Sequence, residues 1–111
     1  MNKVCINGRL IKDPEHKALE NNNSLTTFFL ANDVWFGGNK KTGFYKCQAW
    51  GALGKIIAEN AKTGTELFVT GRLDQYRWED EGGKTVYDVS IQVEQFDFGA
   101  KAASAGVEQA L

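Results

Sequence analysis

Phe44-Tyr45-Lys46-Cys47-Gln48-Ala49-Trp50 runs directly into a helical stretch over about 52–62, and this junction decides the fold. Period-two spacing makes the first segment a strand. One face carries Phe44, Lys46, Gln48 and Trp50; the other carries Tyr45, Cys47 and Ala49. The small apolar face suits a core. The opposite face alternates flat rings with cationic or hydrogen-bonding groups, which suits bases stacked on rings beside cations that hold phosphates. Core rings among solvated polar residues fit the same pattern, and this strand alone does not choose between them.

The helix follows from Leu53, Ile56, Ile57 and Ala61 at helical spacing, with Lys55 and Glu59 one turn apart and Gly64 as its stop. Upstream, residues 3–11 alternate: Val4, Ile6, Gly8 and Leu10 against Lys3, Cys5, Asn7 and Arg9. Asp13-Pro14-Glu15 breaks that strand, and Asn21-Asn22-Asn23-Ser24 forms a turn. A second strand spans about 24–34. Gly37 to Gly43 reads as a flexible basic hairpin loop before the Phe44 strand. It lacks the Gly-Lys-Ser/Thr ending of a phosphate loop. Downstream, a strand from Glu66 to Trp78 carries Gly71 midway, where a small barrel bends to close. Glu79 to Gly83 turns it into a last strand, about 84–98, with Tyr87, Val89, Ile91 and Val93 on one face.

The expected class is therefore all-β: an OB-fold, a five-stranded, partly open Greek-key barrel with one helix between strands 3 and 4. One domain occupies residues 1–98, and 99–111 is expected to be a short flexible C-terminal tail rich in small residues.

Composition narrows the function. The 111 residues are 42% hydrophobic, 12% aromatic and 24% charged, an ordinary globular balance. No apolar run reaches the roughly 18 residues of a membrane span, and the start has no signal-peptide core, so an intracellular protein is expected. Cys5 and Cys47 are then free thiols. With His16 alone and no CxxC, neither a zinc site nor a Cys–His nucleophile has its parts. Carboxylates without a His, Ser or Cys partner argue against an enzyme, and no cofactor or metal is expected. The net charge of −1 is low for a nucleic-acid binder, but it is unevenly spread. Residues 1–55 hold eight Lys/Arg against four Asp/Glu; residues 56–111 hold five against ten.

Asn2-Lys3-Val4, Gly8-Arg9-Leu10, Lys12-Asp13-Pro14-Glu15, Phe29-Leu30-Ala31, Phe44 to Trp50-Gly51, Ala58-Glu59, Lys62-Thr63-Gly64, Gly71-Arg72-Leu73 and Trp78-Glu79-Asp80 to Gly83 together resemble the bacterial single-stranded DNA-binding protein family, in order over residues 2–98. The resemblance implies an OB-fold that binds single-stranded DNA without marked sequence specificity, protecting it in replication, recombination or repair. It also implies a homo-oligomer, usually a tetramer, and a cytoplasmic, nucleoid-associated location. The family's stacking positions fall on Trp35, Phe44, Trp50 and Trp78. Lys46, Arg72 and Arg77 are the expected phosphate contacts, while Tyr76 and Phe28 are assigned to the core or a subunit contact. The face Lys3-Cys5-Asn7-Arg9 is a candidate subunit surface. Family members end in an acidic tip that recruits replication proteins; this chain ends Gly106-Val107-Glu108-Gln109-Ala110-Leu111, so such recruitment is not expected. The alternative is a primosomal replication protein of the same fold, acting as a dimeric assembly partner.

Overall fold

The computed structural model describes residues 1–102. Six strands and one helix follow in order: β1 (Val4–Leu10), β2 (Glu15–Ala18), β3 (Ser24–Phe36), β4 (Asn39–Trp50), α1 (Gly51–Asn60), β5 (Glu66–Glu79) and β6 (Thr85–Phe98), with a single 3-10 turn over Glu20–Asn22. The sheet runs β1-β5-β6-β4-β3-β2, and β1 returns to pair with β3 at Arg9 and Leu10. That pairing closes a five-stranded barrel of β1, β5, β6, β4 and β3, with α1 between its third and fourth strands. The architecture is an OB-fold.

The short β2 is an addition to the expected strand set. Its residues Glu15-His16-Lys17-Ala18 are all exposed, so no apolar alternation announced it. It pairs along the outer edge of β3, Glu15 opposite Thr27. The expected loop at 37–43 also resolves differently. Gly37 and Gly38 both take positive φ, 57° and 80°, and close a two-residue hairpin of the kind that matches strand twist. Asn39 to Gly43 therefore belong to β4, and Lys40 lies opposite Trp35.

The core forms where the inward residues of the barrel meet α1. Leu10, Phe28, Leu30, Cys47, Ala49, Ile57, Leu67, Val69 and Ile91 are buried together. Fully burying each large apolar side chain contributes about 1.5–3 kcal/mol, which makes this cluster the main source of stability. Burial pushes the Cys47 thiol up to about 12, while Cys5 is exposed. The helix ends at Asn60, short of Gly64, and the expected Lys55–Glu59 bridge does not occur among the ion pairs of the described residues.

Gly71 marks the point where the barrel bends. A β-bulge interrupts the β5–β6 ladder between Thr70 and Gly71, because Thr70 pairs with Gln95 and Gly71 with Val93. A Cβ on Gly71 would run into the Gln92 carbonyl oxygen, so only glycine permits this approach. Beyond the bulge, β5 and β6 continue past the core as a two-stranded arm. Tyr87 and Val89 share a face with buried Ile91 and Val93, as expected, yet both are exposed because the arm has outrun the barrel. At the other end, Gly99 and Ala100 donate backbone N–H groups to Glu66, so the chain stays tied to β5 beyond Phe98. The rest of the expected tail, 103–111, lies outside the described residues.

Candidate nucleic-acid interface

Side chains on paired strands share a face when their residues are directly opposite, and the register then places every candidate. Trp50 faces with Leu25, Gln48 with Thr27, Lys46 with Phe29, Phe44 with Ala31, and Lys40 with Trp35. On the neighbouring side, Gln48 lies beside Gln92 in the short parallel pairing of β4 with β6. Gln92 is opposite Arg72, Ser90 opposite Asp74, Asp88 opposite Tyr76, and Val86 opposite Trp78. Trp35, Phe44, Trp50, Trp78, Lys46 and Arg72 therefore occupy one continuous outer face across four strands.

The rings on this face are not core. Trp35 is 68% exposed, Phe44 64%, Trp50 51% and Trp78 49%. Four large aromatics left half in water on strands that have a core to offer them is a poor arrangement for stability alone. The face supplies cations beside them. Lys40 Nζ stands 5.9 Å from the Trp35 ring centre, and Lys12 Nζ stands 5.1 Å from that of Phe29. Lys46 is different: its Nζ lies 3.4 Å from Asp88 Oδ2, so part of its charge is already answered.

Arg77 is not on this face. Its register partner is Tyr87, which puts it on the reverse of the arm with Gln75 and Val89. Period two separates Arg77 from Trp78 and Tyr76 by a single step, which reverses its direction. Phe28, by contrast, is fully buried, in keeping with a core assignment. Tyr76 is 42% exposed and shares the face of Trp78, so it is not core, and the register sets a further ring beside Trp78. The signal was available in the Tyr76–Trp78 spacing. Gln48 reads in the sequence as a hydrogen-bonding group of the ring face and Gln92 is not singled out there, because a polar residue on an outward face reads as solvated; both are covered.

The profile of the Single-strand binding protein family matches residues 1–99. The chain belongs to that family. It is 32% identical over 101 residues to single-stranded DNA-binding protein A of Bacillus subtilis, covering 88% of this chain and 59% of that one. The single-stranded DNA-binding protein of Clostridium perfringens is 35% identical over 99 residues, covering 88% and 65%. This single-strand binding family member thus spans about three fifths of the length of those relatives. A Plasmodium falciparum SSB solved in complex with ssDNA has the same fold, with a TM-score of 0.82 over 90% of this chain and 96% of that one, at 19% identity.

On the other side of the barrel, Cys5, Asn7, Phe68, Thr70, Gln95 and Asp97 line a shallow hollow. Within it Asn7 Nδ2 donates to Glu66 Oε2 at 3.1 Å and Thr70 Oγ1 to Cys5 Sγ at 3.9 Å. No cluster of three potential metal ligands occurs among the described residues, nor any helix long and apolar enough to cross a membrane.

Proposed function

We propose that the chain binds single-stranded DNA without marked sequence preference, by stacking bases on Trp35, Phe44, Trp50 and Trp78 and holding phosphates with Lys46 and Arg72. One observation carries the reading: four exposed rings and their cations share one face by strand register. Every base has a face to stack, so such a surface is tolerant of sequence. Tyr76 and Lys40 extend the same surface. Arg77 contributes only where a strand wraps around the arm.

The role has no chemical step and needs no cofactor. It places the protein with DNA in the bacterial cytoplasm, protecting strands exposed in replication, recombination or repair. The relatives reported above are named for single-stranded DNA binding, which favours this coat over a primosomal assembly role. A homo-oligomer, a tetramer, is part of the proposal. Along its second edge β1 pairs only at Arg9 and Leu10, and Asn32 Nδ2 donates to the Asn7 carbonyl, which leaves the edge from Val4 to Ile6 for a second copy to pair with.

Titration of tryptophan emission with oligothymidine tests the binding mode. Stacking should quench it, and duplex of equal length should not. Tight binding without quenching would overturn the stacking reading. Light scattering at micromolar concentration tests the assembly, and a monomer there would sink that part.

A further inference from the structure

Trp50 ends β4 in extended backbone, φ −97° and ψ 147°, immediately before α1. Its indole Nε1–H donates to Gln92 Oε1 at 2.8 Å. Gln92 Nε2 in turn donates to Gln48 Oε1 at 2.8 Å and to Ser90 Oγ at 2.9 Å. The indole nitrogen is a donor only, so the Gln92 oxygen must face it, and the amide's two hydrogens are then directed at the other two partners. Gln48, Ser90 and Gln92 are 9%, 1% and 7% exposed, a sealed layer under an outward face.

Such a layer is an unusual way to support a ring. A buried amide is tolerated only when its hydrogen bonds are made, whereas an aliphatic side chain there would pack without that condition. What the amide adds is direction. An aliphatic floor lets an indole slide or turn over, while a hydrogen bond to its single N–H fixes which face and edge it presents.

We propose that Gln92, itself locked by Gln48 and Ser90, is a positioning residue that holds the Trp50 indole in its stacking orientation for a base of single-stranded DNA. The inference rests on the stacking role proposed for Trp50. Preorganising a ring removes part of the ordering cost of binding. The gain therefore belongs to Trp50 and not to phosphate contact.

The test is a double-mutant cycle with oligothymidine at fixed salt. Gln92→Met, close in size but unable to accept the bond, should weaken binding by about threefold to tenfold, the size of one neutral hydrogen bond. Its salt dependence should not change. In a Trp50→Phe background, where the ring has no N–H to hold, Gln92→Met should cost less than about twofold. Equal losses in both backgrounds would overturn the positioning role and leave stacking intact. Full affinity in Trp50→Ala would remove the stacking role of Trp50 and this inference with it. A readout on the unaltered chain covers the case in which the variants fold poorly. Of the three indole N–H resonances, that of Trp50 should exchange with solvent most slowly. Exchange as fast as that of Trp35 and Trp78 would overturn the proposal.

Discussion

Lys46 and Asp88 face each other from β4 and β6, Nζ to Oδ2 3.4 Å, in the middle of the aromatic face. Both side chains are part-exposed, 30% and 37%, so the pair itself contributes little stability. Its consequence is competitive: a phosphate approaching Lys46 must displace a carboxylate that already holds it. Asp88→Asn should therefore tighten single-stranded DNA binding. It should also steepen the fall of log affinity with log salt by up to about 0.7, the value for one more neutralised phosphate on a single strand. Titrations at three or four salt concentrations give the slope, and an unchanged slope would show that Lys46 does not contact phosphate.

Trp78 sits at the far end of the arm, half exposed and remote from the buried cluster. Trp78→Ala is expected to weaken binding by about tenfold to a hundredfold, corresponding to roughly 1–3 kcal/mol for a stacked base. Its thermal midpoint should barely move. Phe28→Ala makes the contrast, because a fully buried ring costs about 3–5 kcal/mol of folding stability on truncation. Calorimetry beside a binding isotherm separates the two. Equal loss of midpoint in both variants would mean that the arm is integral to the fold.

Arg72 and Arg77 are five residues apart on β5 but on opposite faces. Arg72→Ala should lower the salt slope by up to about 0.7 and weaken all sequences alike. Arg77→Ala should change neither by a measurable amount. If Arg77→Ala weakens binding as much as Arg72→Ala, the strand must pass around both sides of the arm.

Acid should loosen the fold through two carboxyls. Hydrogen bonds from the Thr63 backbone N–H and hydroxyl, both at 2.8 Å, hold Asp13 below its ordinary value of 3.8. The Ala100 N–H and then Asn7 do the same for Glu66, whose ordinary value is 4.5. A lowered carboxyl binds fewer protons folded than unfolded. Its contribution is complete above the ordinary value and lost as pH falls through the lowered one. Urea midpoints should therefore begin to drop as pH falls below about 5 and go on dropping through the lowered values, and Asp13→Asn should flatten part of that drop. A variant with an unchanged profile would show that the Asp13–Thr63 contacts do not persist in solution.

Much of the barrel was legible because its strands bury one side, and burial writes a period of two. β1, the inner half of β3 and the Phe44–Trp50 segment follow that rule. β2 did not, since an edge strand lying on β3 with every residue exposed has no pattern to show. The Gly37–Gly43 segment misled for a related reason: past the core, β3 and β4 pair only with each other, and their composition answers to solvent. The rings of the interface were legible as rings. Arg77 lies on the reverse face by its single step from Trp78, which its charge alone does not show. The Gln48–Gln92–Ser90 layer was illegible, because nothing local separates a wet glutamine from one that a tryptophan covers.

The bulge at Thr70 and Gly71 has a further consequence for β6. Above it the even-numbered residues Val86, Asp88, Ser90 and Gln92 face outward with the rings; below it Gln95 and Asp97 face outward into the hollow on the other side, opposite Thr70 and Phe68. Glu94 is the extra residue between the two frames. Removing it would pair Gln95 next after Val93 and leave every other side chain on the side it now faces. Apart from the lost Lys3–Glu94 ion pair, the change would be in the curvature of the strand. In this barrel, shape and surface chemistry are written at separate positions, so the bend that closes it can be tuned without altering a single contact residue.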